Sequence, residues 1–251
     1  MIGRRRWLQG AGAALIGGAL TGCDQLNASP QAAGLLGRAE GLTMAAQRLI
    51  TDRAALAREF SARDISPDFR ANGSLRPGDA AWRAHAAQGF ADWRLIVDGL
   101  VKRPAALGLA QLQALPARTQ ITRHDCVEGW SSIGQWTGAR LAPLLDRVGL
   151  RPEARFLVFH CADELAPGAR YYESIDLVDA FHPQTILAYA MNGQTLPVAH
   201  GAPLRLRVER QLGYKHAKYV MRIEAVSGLA HIRGGEGGFW EDRGYQWYAG
   251  I

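Results

Sequence analysis

From about residue 92 the chain breaks into short runs of β-forming residues, and these runs constrain its fold more than any other feature. WRLIVDGLV, TQITRH, RFLVFHCA, TILAYAMNG, LRLRVER and KYVMRIEAV are rich in branched and apolar residues, and turns such as Pro167-Gly168 and Asn192-Gly193 lie between them. One helical pattern stands out, TGARLAPLLDRVGL, ending near Gly149, with a second short piece at SIDLVDAFH. The regular strand–helix alternation of a dinucleotide-binding fold is missing. So are the GxGxxG, P-loop, HExxH and GxSxG patterns. The expected class is α+β and strand-dominated, with a helical arm before it.

That arm is read from Leu35, Ala39, Leu42, Ala46 and Leu49, whose steps of four and three predict a helix over 35–60 with an apolar stripe. A loop-rich stretch, SARDISPDFRANGSLRPGD, follows it. Ahead of it, Arg4, Arg5, Arg6, Trp7, Leu8 and Gln9 fit a twin-arginine export pattern. The Gly/Ala-rich apolar stretch at 10–20 falls short of the roughly 20 residues a membrane span needs and reads as a signal core. Leu20-Thr21-Gly22-Cys23 resembles a lipoprotein box, with Cys23 as the lipidated residue; a plain cleavage site is the alternative. The expected organisation is a signal over 1–22, a tether over 23–34, a helical arm over 35–66 and one large domain over 67–251. Removing residues 1–22 takes away three arginines and no acids, so the net charge falls from +6 to +3. No basic run is interleaved with stacking aromatics, which argues against a nucleic-acid partner.

Without Cys23 two cysteines remain, Cys126 and Cys161. In an oxidising compartment two cysteines often pair. Cys126 lies in RHDCVEGWSSIGQWTG and has three candidate roles. It could be a nucleophile, with His124 two residues upstream on the same strand face. It could be a disulfide partner. It could be a metal ligand, and since no CxxC or HxxxH spacing offers a zinc set, the remaining ligands would come from an organic cofactor. A source of cofactor contacts exists in HGAPLRLRVERQLGYKHAKYV, which holds Arg205, Arg207, Arg210, Lys215, His216 and Lys218. Fixed cations and loop N–H groups suit a phosphate-bearing ligand. Alternating Arg205 and Arg207 equally fit the solvent face of a half-buried strand.

Taken together, CVEGWS, LAYAMNGQTLPVAHGAPLRL and GYKHAKYVMRIE resemble, in order, three segments of the sulfite oxidase superfamily of molybdenum enzymes. The likeness is to its bacterial branch near the methionine sulfoxide reductase catalytic subunit, and it runs from about residue 69 onward. It implies a molybdenum–molybdopterin cofactor, inserted before export through the twin-arginine route. Carried over by position, Cys126 is implied as the metal ligand, and His200 and Arg205 as holding the phosphate end. His216, Ala217 and Lys218 are implied as a second phosphate contact, and Asn72 as reaching the cofactor from FRANG. Cys161 is implied as lying near the pterin, a buried structural cysteine being the alternative. FWEDRGYQWY resembles the segment giving an active-site tyrosine, here Tyr245, with packing among Trp240 and Trp247 as its other role. Glu128 and Trp130 would orient the cysteine loop. A metal-bound Cys126 would not be free to pair with Cys161.

The residues after Cys126 include no arginine, where sulfite oxidases place arginines for an oxyanion, and Arg123 would alternate away from the Cys126 face. Neither an immunoglobulin-like dimerisation domain nor a haem domain is expected, so a monomer working with a separate cytochrome partner is implied. The expected function is oxygen-atom transfer in the periplasm, reducing a small S-oxide or N-oxide, on a protein anchored to the membrane by its lipid. Sulfite dehydrogenation, or a non-enzymatic lipoprotein that binds a partner on the same fold, are the alternatives.

Overall fold

The computed structural model describes residues 30–251, with side chains from residue 39 onward. The signal, Cys23 and the start of the tether lie outside the described residues. The chain divides into two units, Met1–Ile50 and Thr51–Ile251. In the first, helix α1 spans Pro30–Ile50, so the helix read over 35–60 begins earlier and stops sooner. Among the described residues no helix is long and apolar enough to cross a membrane.

The second unit is built on two sheets. One orders its strands β2 (Ala105–Leu107), β1 (Leu95–Gly99), β10 (Val220–Val226), β5 (Phe156–Ala166) and β6 (Ala169–Asp176). β1 and β10 run parallel, and the other neighbours are antiparallel. The other sheet orders β3 (Ala117–Asp125), β4 (Ser131–Arg140), β7 (Ile186–Met191) and β8 (Gln194–Thr195), with β9 (Arg205–Arg207) also paired to β7. Four short helices complete the unit: α2 (Ala80–Ala87), α3 (Leu109–Gln113), α4 (Leu141–Val148) and α5 (Leu177–Ala180). All six β-rich runs hold strands, and the strand-dominated α+β class is what the structure shows.

Two boundaries differ from the sequence reading. The helix expected over TGARLAPLLDRVGL begins only at Leu141, because Thr137–Arg140 belong to β4, Thr137–Ala139 pairing with both β3 and β7 and Arg140 with β7. Tertiary pairing thus overrides the local pattern. The helix itself buries Leu141, Leu144, Leu145 and Val148, one stripe at helical spacing, in the main core. SIDLVDAFH is split, its first three residues finishing β6 and only Leu177–Ala180 forming α5.

The main core joins α4 to β1, β5, β6 and β10 through Trp93, Leu95, Leu157, Phe159, Tyr172 and Ile223, among others, all at most 1% exposed. A smaller cluster holds Phe69, Trp136, Ile186, Ala188, Met191 and Leu196 under the second sheet. Asn192 and Gly193 have φ of 50° and 75°, the left-handed pair that a tight β7–β8 hairpin demands.

At Gly138 the β4 and β7 backbones touch. A Cβ there would stand 2.3 Å from the Leu187 carbonyl oxygen and 2.6 Å from the Ala188 Cα. Neither backbone can yield without breaking the ladder. Gly138→Ala is therefore expected to destabilise the protein by about 1–3 kcal/mol, the usual cost of overpacking. A urea midpoint equal to wild type would show that the sheet is looser than described.

Candidate active site

Strand β3 delivers the chain to a tight turn at Cys126. The Cys126 N–H donates to the Trp130 carbonyl at 2.9 Å, and the Gly129 N–H returns to the Cys126 carbonyl at 3.0 Å. Inside the turn the Trp130 indole donates to Glu128 at 3.0 Å, and Arg70 lies over the Trp130 ring. The loop is braced by its own residues, and its thiol is half-buried. Burial pushes that thiol up, only partly offset by a hydrogen bond from the backbone at Glu128. A nucleophilic cysteine needs the opposite shift, so the protein environment alone does not activate Cys126.

Cys126 opens onto a cavity of about 680 Å3, including its mouth. Of the residues singled out in the sequence, the cavity gathers Asn72, Cys126, His216, Lys218 and Tyr245. Tyr245 stacks on Trp240 with centroids 5.3 Å apart and meets Tyr214 edge-on at 5.3 Å. Together these rings make an aromatic wall. Gly213 forms the opposite close contact: a Cβ there would fall 2.5 Å from His124 Nε2. Only a glycine lets this turn pack against the end of β3.

The cations of the basic stretch divide by partner. Arg205 and Arg207 are both 0% exposed, so the solvent-face reading of LRLRV does not hold. Arg207 is fully paired, donating to Glu209 at 2.9 and 2.6 Å and to His124 Nδ1 at 3.0 Å, with its guanidinium 4.4 Å over Trp136. Lys215 is paired with Glu173 and Glu241, and Arg210 with Asp179. Arg205 has no carboxylate in salt-bridge contact among the described residues. It donates to the His200 carbonyl at 3.2 Å and the Asn72 side-chain oxygen at 3.4 Å, and its Nε has no partner. Burial and neighbouring Arg207 lower it to about 9. Lys218 spends its ammonium on three carbonyls, those of Asn72, Ser74 and Ala199, at 2.5–2.8 Å. Burial, then Arg205, lower it to about 7.

Three histidines complete this region. His124 and His216 cross edge-to-face at 5.1 Å, and burial pushes both well below the usual range, with Arg205 and Arg207 adding to it. His200 is lowered to about 4 by burial, then Arg205 and Lys218. His124 Nε2, His200 Nδ1 and His216 Nδ1 are buried with no protein partner. Unpartnered buried polar atoms beside an uncompensated guanidinium leave room for an anionic, hydrogen-bonding ligand.

The remaining sequence candidates sit further back. His200 and Arg205 lie behind Asn72 rather than on the cavity lining. Ala217 is buried, its N–H donating to the Lys215 carbonyl and its carbonyl accepting from Leu206. Cys161 is 3% exposed in the main core, a free thiol that does not line the cavity. Arg123 is tied to Asp125 at 2.8 Å and lines a different pocket. Sequence reasoning missed Asp163, Tyr171 and Tyr214, which line the cavity. Tyr171 and Asp163 sit on the β6–β5 hairpin, and nothing in their local pattern points at residue 126.

A family model described as "Oxidoreductase molybdopterin binding domain" matches residues 83–229, more than half of the chain. The chain belongs to that family. The resemblance to the sulfite oxidase superfamily therefore stands, and molybdopterin is the cofactor this domain binds. A relative from Azospira oryzae, named provisionally as protein-methionine-sulfoxide reductase subunit YedZ1, is 44% identical over 160 residues, 64% of this chain and 56% of its own. The protein-methionine-sulfoxide reductase catalytic subunit MsrP of Ralstonia nicotianae is 35% identical over 173 residues, 65% of this chain and 48% of its own. The chain thus spans about half the length of the curated relatives it matches. The sulfane dehydrogenase SoxCD of Paracoccus pantotrophus shares the fold, with a TM-score of 0.51 at 24% identity over 57% of this chain and 40% of that one.

The depressed histidines set an expectation for protein made without its cofactor. Each is neutral when folded and takes up a proton when unfolded as pH falls from about 6.5 toward the folded value, about 4 for His200. The unfolded state then binds more protons, so stability is fullest above 6.5 and is lost on acidification. Thermal melts from pH 7 to 4.5 should show this loss, and His200→Asn should reduce it. An acid slope unchanged by His200→Asn would mean that this ring is not held neutral.

Proposed function

We propose that this chain is an exported oxidoreductase that removes oxygen from an S-oxide or N-oxide at a molybdenum ion bound by Cys126. The observation that carries the reading is the pairing of two features in one region. A half-buried thiol faces an open cavity, and behind Asn72 lies a wholly buried guanidinium with no carboxylate in salt-bridge contact among the described residues. A molybdopterin phosphate answers the second feature, and a metal needing one protein sulfur answers the first.

In this reading Arg205 and His200 hold the phosphate end, with the positive field of Lys218 behind them. Lys218 acts mainly by clamping the 72–74 segment onto the 199–200 loop, which fixes Asn72. His216 offers an acceptor nitrogen, because its other nitrogen is committed to the Gln211 carbonyl at 3.0 Å. Ala217 supports that stretch from within the core. Cys161 is taken as a packing residue. When bound, the molybdenum–molybdopterin group supplies the exchange of one oxygen atom and two electrons with the substrate. Overall, an S-oxide, two electrons and two protons become a thioether and water.

The cavity wall favours this substrate class over sulfite. Leu165, Val127, Trp240 and Tyr245 present apolar surface suited to the alkyl groups of a sulfoxide, and Tyr245 sets a phenol on the rim, where it can hydrogen-bond the substrate oxygen. The arginine nearest in sequence, Arg123, is engaged with Asp125 away from the cavity. Electrons would come from a separate cytochrome partner, and the twin-arginine and Cys23 motifs would place the protein in the periplasm on a lipid anchor. The curated relatives named as methionine sulfoxide reductase support this direction of reaction.

The test is elemental analysis of protein exported with its own signal, beside Cys126→Ser, with methionine sulfoxide as substrate and a reduced dye as donor. Near-stoichiometric molybdenum and turnover in wild type, with turnover abolished in Cys126→Ser, is the expected result. Correctly exported protein without molybdenum would sink the reading and favour a binding lipoprotein.

A further inference from the structure

Behind the aromatic wall lies a cluster that the reaction does not use. Lys215 Nζ donates to Glu173 Oε1 at 2.5 Å and to Glu241 Oε1 at 2.6 Å. The lysine side chain is 1% exposed and both glutamates are 0% exposed. The ammonium also lies 5.1 Å over the Trp247 ring. Two buried carboxylates thus meet one cation, and Glu173 Oε1 accepts in addition from the Ser174 N–H at 2.7 Å. The second oxygens, Glu173 Oε2 and Glu241 Oε2, are buried and find no N–H or O–H partner among the described residues. Two adjacent carboxylates cannot both ionise cheaply where only one counter-charge exists. A net buried charge costs several kcal/mol in real proteins. A proton on the pair removes the excess charge and gives the bare oxygens a donor.

The cluster joins three separate pieces of the cavity wall. Glu173 is on β6, two residues after Tyr171. Lys215 ends the turn that contributes Gly213 and Tyr214. Glu241 opens the 3-10 turn Glu241–Arg243, between Trp240 and Tyr245. The same stretch is stitched to β6 by the Tyr172 hydroxyl on Asp242 at 2.5 Å and by the Trp247 indole on Ser174 at 2.8 Å. Backbone ties hold part of this wall, Tyr245 N–H donating to the Trp240 carbonyl and Phe239 N–H to the Tyr172 carbonyl of β6, both at 3.0 Å, and the polar side chains supply the rest of its attachment.

We propose that Glu173 and Glu241 share a single proton over Lys215, and that this neutral buried clasp positions the wall formed by Tyr214, Trp240 and Tyr245. All three are positioning residues, acting on substrate through the rings. The groups facing the pair are Lys215 from the turn, Cys161 from β5 and Tyr171 and Tyr172 from β6, with Asp242 on the Tyr172 hydroxyl and Arg233 over the Tyr172 ring beyond them. Burial raises Cys161, Tyr171 and Tyr172, so Lys215 is the cation opposite the pair at neutral pH. Burial likewise holds Glu173 well above the ordinary carboxylate range, against the pull of Lys215. Losing the shared proton at alkaline pH sets two like charges on one ammonium and loosens the wall.

Infrared spectroscopy of the purified full-length protein tests the shared proton whether or not the substrate reading holds. Wild type at neutral pH is expected to show the carbonyl stretch of a protonated carboxyl, lost on alkaline titration. Glu173→Gln and Glu241→Gln should each remove it, because one carboxylate facing one lysine ionises. A wild type without the band, or a band that survives in both variants, overturns the proposal. The positioning role rests on the substrate reading and is tested by kinetics with methionine sulfoxide. Over the pH range where the band is lost, wild-type KM should rise about tenfold with kcat little changed. In Glu173→Gln that rise should disappear, and a rise of the same size would overturn the positioning role.

Discussion

The site depends on how the fold buries positive charge. β9 is three residues long and wholly buried, yet two of the three are arginines. Strand pairing to β7 places both guanidinia near the Trp136 ring, 4.4 Å away for Arg207 and 5.1 Å for Arg205. Arg207 receives Glu209 in a fork, and that pair is self-contained. Arg205 receives only neutral oxygens. Burying a cation without an anion is costly, and the protein lowers the cost without removing it: the surrounding histidines stay neutral, and Lys218 turns its ammonium onto carbonyls. What remains is a region with a standing deficit of negative charge. A domain that did not bind an anion would have little reason to keep it.

The structure uses acids to sort the other cations out of that region. Glu209, Asp179, Glu173 and Glu241 each take a basic residue that the sequence displays beside Arg205. By local pattern the six basic residues of the stretch have equal standing, and only resemblance singles out Arg205, His216 and Lys218. Only Glu209 is local to its partner Arg207; the others come from β6, α5 and the C-terminal segment, tens of residues away, so local pattern does not separate a ligand-facing cation from a structural one. The strand class was legible because alternation and turn chemistry are local. The ends of β4 and α4 were not, because pairing of Thr137–Ala139 to two strands and of Arg140 to β7 outweighs the helical pattern that begins at Thr137. Asn72, Cys126, His216, Lys218 and Tyr245 were reached through resemblance and are gathered by the fold. Tyr171, Asp163 and Tyr214 were hidden because nothing short-range in β5, β6 or the 213–215 turn marks the face they share.

The two cysteines show the same division between local and global constraint. Each is a single thiol in a β-rich segment, and the sequence permits either a pair or two separate roles. The fold separates them by environment. Cys161 points into the main core on β5, its thiol pushed far up by burial and then by Asp163 and Glu173. Cys126 sits beyond the end of β3, on a turn held by two backbone hydrogen bonds and braced by Trp130 on Glu128. A thiol on a rigid, self-braced turn at a cavity suits coordination, which needs a fixed direction more than a lowered pKa, since a bound metal deprotonates its own ligand. The wall opposite has the reverse design. Trp240 and Tyr245 flank the short 3-10 turn Glu241–Arg243, held to β6 by the Phe239 N–H on the Tyr172 carbonyl and by side-chain ties to β6 and Lys215. One side of the cavity is thus fixed by its own turn, and the other by a few backbone bonds together with buried polar side chains drawn from three parts of the chain.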